Sequence, residues 1–144
     1  MGSTSKRRKE KEVIVTIQIA SYGAEVILKS LTGVSTSTET LKLKLYSNNF
    51  TPTNLSVLTD LTEVTGGGYA EKSLSSSDWT LTGNAISSVA KTFTFTSSIG
   101  NVYGYYLVGS TSGKLIAAEK FTSGPYNIAS NGDTITVTAT ISVS

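Results

Sequence analysis

Between Thr40 and Tyr46 apolar and polar residues alternate one for one. Leu41, Leu43 and Leu45 share one face and Lys42 and Lys44 the other, the period-two signature of a strand with one side in a core. The same alternation recurs along the chain. Val13, Val15, Ile17 and Ile19 point one way in a first strand over Val13 to Ala20. Phe93 and Phe95 alternate with Thr92, Thr94 and Thr96, and Ile135, Val137, Ala139, Ile141 and Val143 fall on one side of a terminal strand from Asp133 to Ser144. Between these runs stand turn signals. Tyr22-Gly23 predicts a turn before a second short apolar run, Glu25 to Leu31. Gly33 to Thr38 predicts a Ser/Thr loop, and Ile99-Gly100-Asn101, Thr111-Ser112-Gly113, Ser123-Gly124-Pro125 and Asn131-Gly132 predict further turns. Tyr69 to Leu74 with Trp79 to Leu81 predicts one broken strand. Ala85 to Val89 leading into Lys91 to Thr96, Val102 to Val108, and Lys114 to Phe121 predict the others.

Residues 47–69 break the rhythm. Asn48-Asn49-Phe50-Thr51-Pro52-Thr53 is rich in turn-forming residues. Leu55, Leu58 and Leu61 are spaced by three, which predicts a short helical turn from Asn54 to Val64 capped by Thr53 or Asn54. Gly66-Gly67-Gly68 then reads as a flexible connection. The Lys-Ser/Thr ending and the strand-to-helix setting of a phosphate loop are absent. About eight strands with a turn roughly every ten residues predict an all-β fold, a single antiparallel β-sandwich of jelly-roll type. The sandwich occupies 13–144 and is preceded by a basic arm over 1–12. A length of 144 residues suits one domain.

Composition narrows the chemistry. The chain has neither cysteine nor histidine, which removes disulfides, thiolate nucleophiles, a Ser–His triad and the usual zinc ligands. Carboxylates are scattered singly among predicted loops and strand ends. No pair is placed for glycoside hydrolysis, and Asp60 with Glu63, one turn apart, falls short of the six or more oxygens calcium takes. No cofactor, no metal and no catalysis are expected. No apolar run reaches the ~20 residues that span a bilayer, so no membrane partner is expected and the chain is expected to be made in the cytoplasm.

Charge is uneven. Lys6, Arg7, Arg8, Lys9 and Lys11 give residues 1–12 a net charge of +3, against −1 for the rest. The arm reads either as a solvated tail or as a segment that docks on an acidic partner. No basic patch with interleaved aromatics runs through the body, so nucleic acid is not an expected partner. Trp79, Tyr69, Tyr103, Tyr105, Tyr106 and Tyr126 form either a sugar-binding or interface platform, or a sandwich core with polar tips at its edge.

Three segments carry a family resemblance. Leu41-Lys42-Leu43-Lys44-Leu45-Tyr46-Ser47-Asn48-Asn49-Phe50-Thr51-Pro52-Thr53, followed by the Asp60–Ala70 segment DLTEVTGGGYA and then Trp79, resembles small virion proteins of tailed bacteriophages. Val102-Tyr103-Gly104-Tyr105-Tyr106-Leu107, Ala118-Glu119-Lys120-Phe121, Pro125-Tyr126-Asn127-Ile128 and Gly132-Asp133-Thr134-Ile135-Thr136-Val137 are similar to the same family. The likeness covers roughly 40–144, and its motifs are structural. It implies a capsid decoration (cement) protein on the outside of the shell, bound to the major capsid protein and assembled as a homotrimer. A tail-fibre or receptor-binding module that holds a host glycan is the alternative. In the first reading Lys6, Arg7, Arg8, Lys9 and Lys11 meet acidic capsid surface, and Val13, Val15 and Ile17 add a strand to a neighbour's edge.

Overall fold

The computed structural model describes residues 17–34 and 39–143. Twelve strands and one α-helix lie in them. The first sheet is antiparallel and has five strands in the order β1 (Gln18–Ile19), β9 (Leu115–Lys120), β8 (Gly104–Gly109), β2 (Leu41–Tyr46), β3 (Lys72–Leu74). The strand predicted over Thr40 to Tyr46 is present as Leu41–Tyr46, with Leu43 paired to Leu107 and Lys44 to Tyr106.

The opposing layer is built from short ladders that line up. β6 (Lys91–Thr94) pairs with β11 (Thr134–Val137), and β7 (Gly100–Val102) with β10 (Tyr126–Ile128). Thr94 faces Thr134 and Gly100 faces Ile128, with equal stretches, 95–99 and 129–133, between them. The two ladders are therefore one bent ribbon. β5 (Ala85–Ser88) pairs with β12 (Thr140–Ser142) and continues the ribbon at the other end. There residues 88–90 lie opposite only 138–139, the one-residue excess of a β-bulge. β4 (Trp79–Thr82) flanks β5. The predicted terminal strand is thus two strands, β11 and β12, on either side of a bulge.

The all-β, sandwich-like architecture expected from the sequence is the observed one. Leu43, Leu45, Leu107 and Ala117 of the first sheet meet Phe93, Phe95, Val102, Ile128, Ile135 and Val137 of the second layer in one core. A second cluster covers the outer face of the first sheet: Tyr46, Tyr106, Val108, Leu115 and Ala118 pack under Leu61 and Phe50. This explains the run over 47–64. Asn48 clamps the segment back on itself, its amide donating to the Asp60 carbonyl at 2.8 Å and its carbonyl accepting from the Thr62 N–H at 2.8 Å. The helical turn predicted over Asn54 to Val64 is only the 3₁₀ turn Leu58–Asp60; its polar faces and clamped ends serve a lid rather than a helix. The glycine triplet is not a slack connection. All three residues have positive φ, and the Gly67 carbonyl accepts from the Thr96 N–H at 2.9 Å, so glycine is required for a fixed turn.

The larger departure is at the N-terminal end. The predicted turn at Tyr22-Gly23 and the apolar run Glu25 to Leu31 form one helix, α1 (Ser21–Leu31). Glu25 and Lys29 pair across one turn at 2.5 Å. Gly33 with φ 72° closes the helix end, where the Val34 N–H reaches the Lys29 carbonyl at 3.0 Å. Gly23 lets the helix lie against β9, since a β-carbon there would collide with the Ile116 carbonyl oxygen.

Candidate interaction surfaces

α1 is amphipathic in the wrong sense for a helix that seals a core. Its only buried residue is Gly23. Leu28 is 61% exposed, Leu31 80%, and Val34 just beyond the helix 73%. Around the helix start lies a second apolar group: Leu55 (77% exposed), Val57 and Leu58, on the turn that joins α1 through the Ser21 hydroxyl and the Asn54 carbonyl. These side chains together with Tyr22 and Leu115 border a shallow apolar groove. Surface apolar residues are ordinary when single; a group of six around one element marks a contact surface.

On the core side of α1 the sandwich is open. A cavity of about 560 Å³ runs between the sheets, lined by Ile19, Val26, Leu74, Trp79, Ile116 and Ile141. Glu39 is at its rim, where it is already engaged. Burial would raise its pKa, but the Ser112 and Thr111 N–H groups, at 2.5 and 2.7 Å, hold it below the usual carboxylate value.

The outer face of β2 is closed by charge pairing. Lys42 pairs with Glu71, and Lys44 sits 3.2 Å from Glu63 and 3.0 Å from Glu71. Tyr69 completes the network, accepting from the Leu45 N–H at 3.1 Å and donating to Glu63 at 3.2 Å. The two lysines that alternate with leucines are therefore paired within the chain. Lys42 and then Lys44 hold the Glu71 carboxyl below its usual range. One carboxylate is perturbed the other way. Burial raises Glu119, only partly offset by the Tyr105 hydroxyl that donates to it at 2.5 Å. That pair stands at the sandwich edge beside Thr140 of β12.

The aromatic residues do not form one platform. Tyr69 stacks on Phe93 at 5.8 Å, Tyr105 and Tyr106 are buried, and Tyr103 lies under the Lys120 ammonium. Trp79 is half-buried at the cavity, and Tyr126, 40% exposed, packs on Phe121 elsewhere. Most of them serve packing, the second of the two readings of their pattern. Of the candidate partner-binding residues, Lys6, Arg7, Arg8, Lys9, Lys11, Val13 and Val15 lie outside the described residues. Ile17 is 3% exposed and belongs to this chain's own core, and the two residues after it already pair with Ala118 and Ala117 of β9. The surface around α1 is absent from the sequence reading because Glu25 to Leu31 reads there only as a short apolar run after a turn. The four-residue spacing of Glu25 and Lys29 with Gly33 beyond was the available signal.

Among the described residues no group of three His, Cys, Asp or Glu side chains could hold a metal, and no helix is long and apolar enough to cross a membrane. Comparison with protein-family models, with curated proteins and with solved structures finds no match to this chain.

Proposed function

We propose that this chain is a structural subunit of a tailed-phage particle, a decoration protein that binds the outer surface of the major capsid protein lattice and stabilises the head. The observation that carries the reading is the exposed apolar surface on and around α1, with Leu28, Leu31, Val34 and Leu55 all more than half exposed. A water-facing patch of this kind favours a protein neighbour, because covering it removes apolar area from water at about 25 cal/mol per Å². The resemblance of residues 40–144 supplies the virion context. The basic arm, Lys6 to Lys11, adds long-range attraction to an acidic lattice, and repetition across the lattice converts modest contacts into slow release.

The test uses particles of the phage that encodes the chain. Cryo-electron microscopy and quantitative immunodetection are expected to show it on the head exterior at regular lattice positions. The double variant Leu28→Ser/Leu31→Ser should fold as the parent does and fail to rebind undecorated heads. Absence of the chain from purified particles overturns the reading. Normal rebinding of the double variant removes α1 from it.

A further inference from the structure

Among the described residues, one side of the second layer is a long strand edge; β6 and β7 on its other side also have a single strand neighbour each. β10, β11 and β12 each have a strand partner on one side only. Near Thr140 the edge is covered by Tyr105 and Glu119. From Thr134 to Thr138 no described strand pairs with it. The Phe95 N–H donates to the Asp133 carbonyl at 2.9 Å. By the alternation of an antiparallel ladder, Ile135 and Val137 then exchange their bonds with Phe93 and Lys91. The N–H and C=O groups of Thr134, Thr136 and Thr138 point away from β6. No hydrogen bond within the chain reaches them among the described residues. An open groove of about 440 Å³ runs beside this stretch, along Thr134 to Thr136 and on to Tyr126 and Asn127 of β10.

Folded proteins usually guard such an edge with lysine, proline or an inward charge. Residues 134–143, Thr-Ile-Thr-Val-Thr-Ala-Thr-Ile-Ser-Val, contain none of these. Two other outer strands, β3 and β4, differ. β3 follows Glu71 and contains Lys72, and β4 is bordered by Asp78 in its ion pair with Lys91 at 3.4 Å.

We infer that the β11 edge pairs antiparallel with the β11 edge of a second copy of this chain, on a two-fold axis through Thr136. The charge pattern selects this occupant. Centred on Thr136, the pairing sets Thr134 against Thr138 of the other copy and Asp133 against its Ala139, so the nearest charges never meet. Each of the three outward residues exchanges both backbone bonds with its counterpart. On the water face threonine meets threonine, a pairing the chain already uses inside this layer, where the Thr92 and Thr136 hydroxyls are 2.9 Å apart. On the other face Ile135 meets the second copy's Val137, which extends the core across the axis. A two-fold contact of like edges closes at two copies.

Light scattering coupled to size exclusion, on the full chain, tests this. The parent is expected to have the mass of a dimer that dissociates on dilution. Thr136→Lys sets two lysines face to face on the axis and should raise the dimer dissociation constant at least about tenfold. Thr136→Pro removes an N–H that no described residue of its own chain accepts, a substitution edge strands tolerate, and should also yield monomer. Unchanged circular dichroism and melting of the monomeric fraction show that the fold has survived. Thr80→Lys, on the β4 edge, should remain dimeric. The inference is overturned by a parent that is monomeric at millimolar concentration, by a trimer, by an oligomer indifferent to Thr136→Lys, or by one dispersed by Thr80→Lys instead. It concerns the free protein, for which it sets a dimer in place of the homotrimer that the resemblance implies, and it stands or falls independently of binding to heads.

Discussion

β8 and β11 are both short antiparallel strands of one sandwich, yet they solve opposite problems. All six residues of β8 are buried, whichever face they point to. It has a strand on each side, the inter-sheet core on one face and the lid over 47–64 on the other. β11 alternates strictly, with Ile135 and Val137 inward and Thr134 and Thr136 in water, and has a partner on one side only. A strand enclosed on all four sides can only contribute stability. A strand with a free edge and a free face can lose much of its side-chain chemistry without harm to the fold, and it is where a new contact can form.

Substitutions separate the two roles. Leu107→Ala in β8 leaves a cavity at a fully buried site and should cost about 2–5 kcal/mol, measured by urea denaturation. Gly104→Ala should cost a comparable amount by overpacking, about 1–3 kcal/mol, because the added carbon collides with the Glu119 carbonyl oxygen and the Tyr46 ring. Retained stability at Gly104 would show that β8 and β9 can separate more than their register allows. Thr94→Lys on the water face of the β6–β11 ladder should change stability by no more than about 0.5 kcal/mol.

The smallest effect is one of pH. Glu119 has its pKa raised by burial at the junction of the two layers, so the fold favours its protonated form. Its contribution is fully present below the unfolded carboxylate pKa, about 4.3, and is lost as pH rises through the higher folded value. Glu71 runs the other way: paired to Lys42 and Lys44, it contributes above the unfolded value and loses that contribution as pH falls through its lowered folded pKa. Glu119→Gln should therefore remove a decline in melting temperature between mildly acidic and neutral pH, while Lys44→Met should lower stability at neutral pH and make the loss at acid pH shallower, because less of the Glu71 ion pairing remains to be titrated away. Identical pH profiles for parent and Glu119→Gln would show that the carboxylate is solvated in solution.

The strands were legible wherever burial is one-sided. Leu41 to Tyr46, Lys91 to Thr94 and Thr134 to Val137 show their inward faces in the order of their residues. Where the chain is covered on both faces or on neither, alternation carries no signal. β8 reads as a run of aromatic and apolar residues with no outside. α1 exposes the apolar residues that a helix in a core would bury, so its sequence resembles an extended run and its amphipathic period misleads. The candidate surface was correspondingly illegible, because exposure of Leu28 and Leu31 is a property of what lies next to the helix.

Period-two patterning, turn residues and the lack of cysteine and histidine determined by themselves an all-β chain without thiol or imidazole chemistry, because side-chain direction and reactivity are local properties. The tertiary structure alone decided which strands became neighbours, where the ribbon bends, and which residues ended beneath a lid or at an open edge. Those outcomes depend on contacts between segments far apart in sequence, and no window of neighbouring residues records them.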